Sequence, residues 1–244
     1  MELKHKVAIV TGGAIRVGRA ISLALAEAGC HLFIHYGHSA AAASETLALA
    51  QAKGVTAVTY QADFCDAAAT QALIPAAIQQ FGRIDILINS AAIFPEADNF
   101  ETVGLEQWQN VMDINLRAPF LLSQAFANHL QPGQTGKIIN INDARIPRPA
   151  PDHFLYRLAK GGLWNMTEIL AHTLAPRITV NAVALGAILP PPGQGDSYLQ
   201  DIAEKRVPLR RAGSADIVAE NVLHLLRQDF LTGVTIPIDG GEFL

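Results

Sequence analysis

An α/β fold, a doubly wound sheet of seven mainly parallel strands with helices on both faces, is predicted by three observations. Short β-rich runs alternate with longer stretches whose apolar residues recur at helical spacing. Gly29, Gly54 and Gly82 fall just after three of those stretches, where a helix wants a left-handed residue. Half of the 244 residues are hydrophobic, enough for one large core, and no repeat, linker or low-complexity tract interrupts the pattern. Residues 1–244 are therefore expected to form one domain.

In chain order, strands are expected at 7–11, 31–35, 55–61, 84–89, 137–141, 178–183 and 234–238. Between them, 17–28, 41–53, 67–81, 105–130, 154–174 and 214–227 place apolar residues at helical spacing. Right-handed crossovers would lay these helices over the sheet. Two proline-rich loops, Pro147-Arg-Pro-Ala-Pro151 and Leu189-Pro-Pro-Pro-Gly193, each follow a strand's carboxyl end. Ligands of an open parallel sheet bind at that edge, so residues 184–213 are expected to form a substrate lid.

Composition narrows the function classes. A net charge of −4 gives no diffuse basic surface for nucleic acid, so any phosphate should be met by a local site. Cys30 and Cys65 are too few for a disulfide framework or a zinc cage, and no metal is expected. No stretch approaches about 18 uncharged apolar residues, and the start runs directly into a strand. The expectation is a soluble, cytoplasmic protein without a membrane partner.

The first strand leads into Thr11-Gly12-Gly13-Ala14-Ile15-Arg16-Val17-Gly18. Strand, glycine turn and helix together can bind an anion at a helix N-terminus, although the same turn also serves as an ordinary connection. Gly12 permits the tight turn and Gly18 close packing of helix on strand. Arg16 stands where a third glycine is expected. At the end of the second strand an NAD site normally carries an acid for the ribose 2′-hydroxyl. Here the segment is His31-Leu-Phe-Ile-His35-Tyr36-Gly37-His38-Ser39, with no acid before Glu45. That absence, with Arg16, His35, His38 and Ser39 nearby, favours NADPH over NADH; solvated loop histidines are the plainer reading. A proton on His35 or His38 would help hold a 2′-phosphate at acid pH.

Tyr156-Arg-Leu-Ala-Lys160 puts a phenol and an ammonium one helical turn apart. A nearby Lys⁺ is expected to lower the phenol's pKa from about 10 towards neutrality, making it a proton donor near pH 7. The pair gains specificity from the strand Ile138-Ile-Asn-Ile141 before it and from Asn115 in Met112-Asp-Ile-Asn-Leu116. Asp143 differs from a serine in one respect: an ionised carboxylate only accepts hydrogen bonds. It suits a substrate with N–H groups, or else caps its own loop.

Thr11-Gly12 with Gly18, Asp63-Phe64, Asn89-Ser-Ala-Ala92, Asn115, Tyr156 with Lys160, and Ile238-Asp-Gly-Gly241 resemble the short-chain dehydrogenase/reductase family, in order and over the whole chain. Within it, Arg16, His35-Tyr36-Gly37-His38-Ser39 and Asp143 are similar to the pteridine reductases. The resemblance implies a Rossmann-like fold that binds NADPH through Gly12, Arg16, Val17, Gly18, His35, Tyr36, His38, Ser39, Asp63, Phe64, Asn89, Ser90, Ala91, Tyr156, Lys160, Gly186 and Ile188. His38 stands where arginine is usual. It implies catalysis by Asp143, Tyr156, Lys160 and Asn115, with Asn115 supporting Lys160. Arg16, Phe94, Asp143 and Tyr156 would meet a pteridine-like substrate, Phe94 packing against its ring. It also implies a homotetramer. The expected reaction is NADPH-dependent reduction of a pteridine C=N bond, of dihydrobiopterin or dihydrofolate type. The alternatives are a ketone or 3-oxoacyl reductase and a catalytically silent NADP-binding protein.

Overall fold

A computed structural model describes residues 1–95, 99–191 and 193–244. Pro192, in the second proline-rich loop, thus lies outside the described residues. Seven strands, β1 (Val7–Val10), β2 (His31–Tyr36), β3 (Ala57–Gln61), β4 (Ile86–Asn89), β5 (Gly136–Asp143), β6 (Ile178–Leu185) and β7 (Thr235–Ile238), form one sheet in the order β3-β2-β1-β4-β5-β6-β7. Every pairing among them is parallel, beyond the mainly parallel sheet expected. The chain winds outward from β1 to β3 and then returns to place β4 on the other side of β1. A crevice opens at such a reversal, outside the carboxyl ends of the strands.

Alternation along the strands assigns the two faces. Ala8 and Val10 of β1 join Ile21 and Leu25 of α1 (Arg16–Glu27) and Val222 and Leu225 of α8 (Ala215–Arg227). Ile9 turns the other way, into a cluster with Leu73 of α3 (Ala67–Phe81) and Leu122 and Phe126 of α5 (Ala118–His129). Strands covered on both faces need apolar residues on both, which is why β1 and β4 read as continuous apolar runs. α2 (Ala40–Gln51) and α6 (Phe154–Leu174) complete the helices expected from spacing. Asp66 caps α3 by accepting the Ala68 and Ala69 amides, and Gly82 ends it at φ 72°.

Two elements differ from expectation. The single helix at 105–130 is divided into α4 (Leu105–Met112), a wide π-type turn at Asp113–Arg117, and α5. Pro119 has no N–H to return to the carbonyl four residues earlier, that of Asn115, so the α-helical ladder is interrupted there. The segment expected only as a lid contains α7 (Asp196–Arg206). Its polar sequence hides it: Ala203 is buried, while Lys205 and Asp201 pair one turn apart at 2.6 Å.

Candidate active site

A cleft of about 820 Å³ opens over the carboxyl ends of the strands. Its floor is the loop after β1. Gly12 sits at φ 61°, where a Cβ would come within 2.9 Å of the Ala91 backbone, and a Cβ on Gly18 would collide with the Gly12 carbonyl. The start of α1 can therefore lie against the strand only without those side chains. Thr11 ties this loop to the next: its hydroxyl accepts the Ser90 and Ala91 amides at 2.9 and 3.0 Å and donates to the Ile88 carbonyl. Arg16 occupies the left-handed region at φ 53°. It holds the backbone conformation a glycine would supply, and its guanidinium donates to the Pro190 carbonyl at 2.6 Å, across the cleft.

Val17, Tyr36, His38, Ser39, Asp63 and Phe64 line the same end, with Gly186 and Ile188 opposite. Asp63 accepts the Cys65 amide at 2.9 Å, a local turn at the edge of that wall. His35 does not offer a charge there. It is buried and stacked on Phe64 with centroids 4.0 Å apart. Its Nδ1 accepts the Gly12 amide at 3.1 Å, and Nε2 donates to the Ala62 carbonyl at 3.0 Å. Burial pushes its pKa down to about 4, against a smaller upward effect of the Ala62 bond. The expectation of a protonated His35 on a 2′-phosphate is thus corrected: a ring enclosed in this way stays neutral. Asn89 also departs from the cleft wall, its amide donating to Asn140 at 2.8 Å and Ser123 at 3.3 Å inside the protein.

At the other end Asp143, Tyr156 and Lys160 come together, all buried, on the end of β5 and the first turns of α6. Lys160 donates to the Ile141 carbonyl at 2.8 Å, and its Nζ lies 5.9 Å from the Tyr156 ring centroid. Burial lowers this ammonium to about pH 8, with Asp143 opposing the shift. The phenol moves opposite to the expectation. Burial first, and then the hydrogen-bonded Asp143 carboxylate, raise its pKa well above the usual 10, while Arg145 pulls it back. Lys160 is not among the groups that move it, Arg145 being the cation that lowers it. Asn115 is fully buried in the π-type turn, where it clasps Ile93 through both backbone groups at 2.9 Å. Its side chain therefore steadies the loop before Phe94, and no direct bond joins it to Lys160.

Arg145 was not singled out from the sequence, yet its Nε and backbone amide both donate to Asp143 Oδ1 at 2.9 Å. Its guanidinium carbon lies 5.4 Å from the Phe94 centroid. Phe94 is tilted against His153 at 4.4 Å and edge-on to Tyr156 at 4.8 Å. Glu242, also unanticipated, is half-buried, accepts from the Ala187 backbone and pairs with Arg206 of α7 at 2.9 Å. Only the placement of Arg145 two residues after an unusual buried acid could have drawn notice. Glu242 lies 36 residues from Arg206 and 55 from Ala187 and carries no local signal.

A family model described as enoyl-(acyl carrier protein) reductase matches residues 13–242. The chain belongs to the short-chain dehydrogenase/reductase family. Among curated family members, the 3-oxoacyl-[acyl-carrier-protein] reductase of Synechocystis sp. is 33% identical over 98% of this chain and 97% of its own. A crystal structure of FolM alternative dihydrofolate reductase 1 from Brucella canis, complexed with NADP, superposes with a TM-score of 0.93 at 32% identity, covering 99% of this chain and 95% of that one. A short-chain dehydrogenase from Burkholderia cenocepacia, also in complex with NADP, gives 0.91 at 33% identity over the whole of both chains. The fold and an oxidoreductase activity of this family follow from these similarities.

Proposed function

We propose that the protein is an NADPH-dependent reductase of a pteridine C=N bond. The cleft fits the cofactor: Gly12 and Gly18 leave room for phosphates against the start of α1, and the end of β2 carries His38 and Ser39 with no carboxylate to repel a 2′-phosphate. NADPH supplies the hydride. Tyr156 holds its proton at neutral pH and gives it to the ring nitrogen, which becomes strongly basic on reduction, so transfer is downhill even from a phenol with a raised pKa. Lys160 and Arg145 stabilise the phenolate left behind, Asp143 orients the phenol, and Asn115 supports the site through Ile93. The lid, 184–213, closes over the substrate, tied by Arg16 at one end and Arg206 at the other.

One observation carries the substrate assignment: the group beside the Tyr156 hydroxyl is a buried carboxylate. Asp143 accepts hydrogen bonds, as amino and ring N–H groups require, whereas a ketone oxygen needs a donor. Similarity to the alternative dihydrofolate reductase supports the same reading. The 33% identical 3-oxoacyl reductase supports a second one, reduction of a 3-oxoacyl thioester. The proposal includes a cytoplasmic homotetramer, supported by exposed Phe120 on α5 and Ile169 on α6 and by the lack, among the described residues, of a helix long and apolar enough to cross a membrane.

NADPH oxidation with dihydrobiopterin, dihydrofolate and acetoacetyl thioester, wild type beside Asp143→Ser, tests the assignment. Removing a charged partner from a desolvated contact costs about 1.5–3 kcal/mol, so pteridine kcat/KM should fall by roughly 10-fold to 150-fold. The thioester rate should hold or rise. A wild type that reduces only the thioester, and loses it in Asp143→Ser, overturns the proposal.

A further inference from the structure

His35 was singled out as a cation for phosphate, and the structure gives it other work. Its ring joins three segments of the cofactor end of the cleft. Nδ1 takes the Gly12 amide of the phosphate loop, Nε2 donates to Ala62 after β3, and the face lies on Phe64 with an interplanar angle of 6°. We propose that His35 is a positioning residue for the cofactor: as a neutral Nε2–H ring it anchors the phosphate loop at Gly12, and a proton on Nδ1 releases the loop and the NADP it holds.

The chemistry follows from donor and acceptor counts. A neutral imidazole has one donor and one acceptor, and Ala62, a carbonyl, can only accept. Nε2 must then carry the hydrogen, leaving Nδ1 as the acceptor that Gly12 needs. Protonation turns Nδ1 into a donor facing another donor, on a ring only 3% exposed. Gly12 itself lies against the Ala91 backbone, 2.9 Å from where a Cβ would stand. The titratable and charged groups on the surrounding segments are Arg16 at the start of α1, Tyr36 and His38 on the same connection, Tyr60 and Asp63 at β3, Cys65 after Phe64, and Arg117. None pairs with either ring nitrogen; Arg117 donates instead to the Phe64 and Cys65 carbonyls. The low pKa of the ring, about 4, arises from burial and agrees with this geometry.

The inference rests on NADP as the ligand of the cleft, and the test separates the two. NADP⁺ binding to the full chain is measured by titration calorimetry at about pH 7.5 and about pH 3, one unit below the pKa of the ring, with circular dichroism following the fold. The wild type should weaken at least about 10-fold at the lower pH relative to His35→Gln, whose amide can accept and donate without titrating. Every other titrating group, the ligand's phosphates included, is common to both proteins, so their ratio isolates His35. His35→Phe, which keeps the stack and loses the acceptor, should weaken about 10-fold at the higher pH. An equal acid loss in wild type and His35→Gln, or wild-type affinity in His35→Phe, overturns the proposal. If His35→Phe does not fold, ¹⁵N spectra of the wild-type ring decide: an Nδ1–H tautomer, or a charged ring at about pH 6, overturns it. No NADP⁺ binding by the wild type at the higher pH would instead overturn the cofactor assignment.

Discussion

Tyr156 and Lys160 lie one turn apart, and burial acts on them in opposite directions because one is charged when it loses a proton and the other when it gains one. The phenol is driven up and the ammonium down to about 8. Tyr156→Phe deletes only the hydroxyl, so turnover should fall about 100-fold or more, with the NADPH dissociation constant nearly unchanged. Near-normal turnover would show that the proton comes from elsewhere. On the proposed mechanism Lys160 sets a pH limit: the charge that would stabilise the phenolate is lost above about pH 8, so kcat/KM should decline above that pH with the slope of one proton. A flat profile through that region would remove Lys160 from the proton-transfer step. For stability the sign is separate. Its folded pKa lies below the unfolded value of about 10.5, so its contribution is full above that pH and is lost as pH falls through about 8. The spacing of the pair was legible because residues four apart share a helix face. The direction of the phenol's shift was not, because it depends on how deep the site lies and on Asp143 beside it.

At the scale of elements, the connection between β1 and α1 shows how one residue serves two segments. Arg16 holds φ 53° in a place where glycine is at ease, at a cost of about 1 kcal/mol, and reaches Pro190 across the cleft. Arg16→Gly should leave stability to denaturant equal or higher by about 1 kcal/mol, while the loop at 189–193 is cut faster in limited proteolysis. Stability lost without any change in proteolysis would mean that Arg16 anchors no lid. The missing glycine was visible in the sequence; the backbone conformation and the partner, 174 residues away, were not. Likewise Pro119 is plain to read, but the π-type turn before it, and the clasp of the Asn115 side chain on Ile93, are properties of the folded chain.

For the whole molecule, the two-sided covering of the sheet makes the centre sensitive to lost volume. Phe126 is completely buried under α5 against Gly136 at the start of β5, where a Cβ would come within 2.7 Å of the ring. Phe126→Ala should therefore cost about 3–5 kcal/mol in urea unfolding with little change in m. A loss below about 1 kcal/mol would mean that the neighbours collapse into the space. The strand order, with β4 placed across β1 from β2, is what brings Gly12, Ser90 and Asp143 to one edge although they come from three strands.

Periodicity, glycine positions and the order of motifs along the chain determined the seven strands, the layering and most of the cleft wall, because those depend on local conformation and on the alternation of buried faces. Tertiary structure alone decided which polar groups face each other. His35 became a neutral anchor of the phosphate loop because Phe64 and Ala62 enclose it, and Asp143 acquired Arg145 because the loop after β5 turns back on itself. Burial and hydrogen-bond partners set protonation, and both come from segments far apart in sequence, so a residue's type and spacing indicate what it can do while the surrounding fold determines what it does.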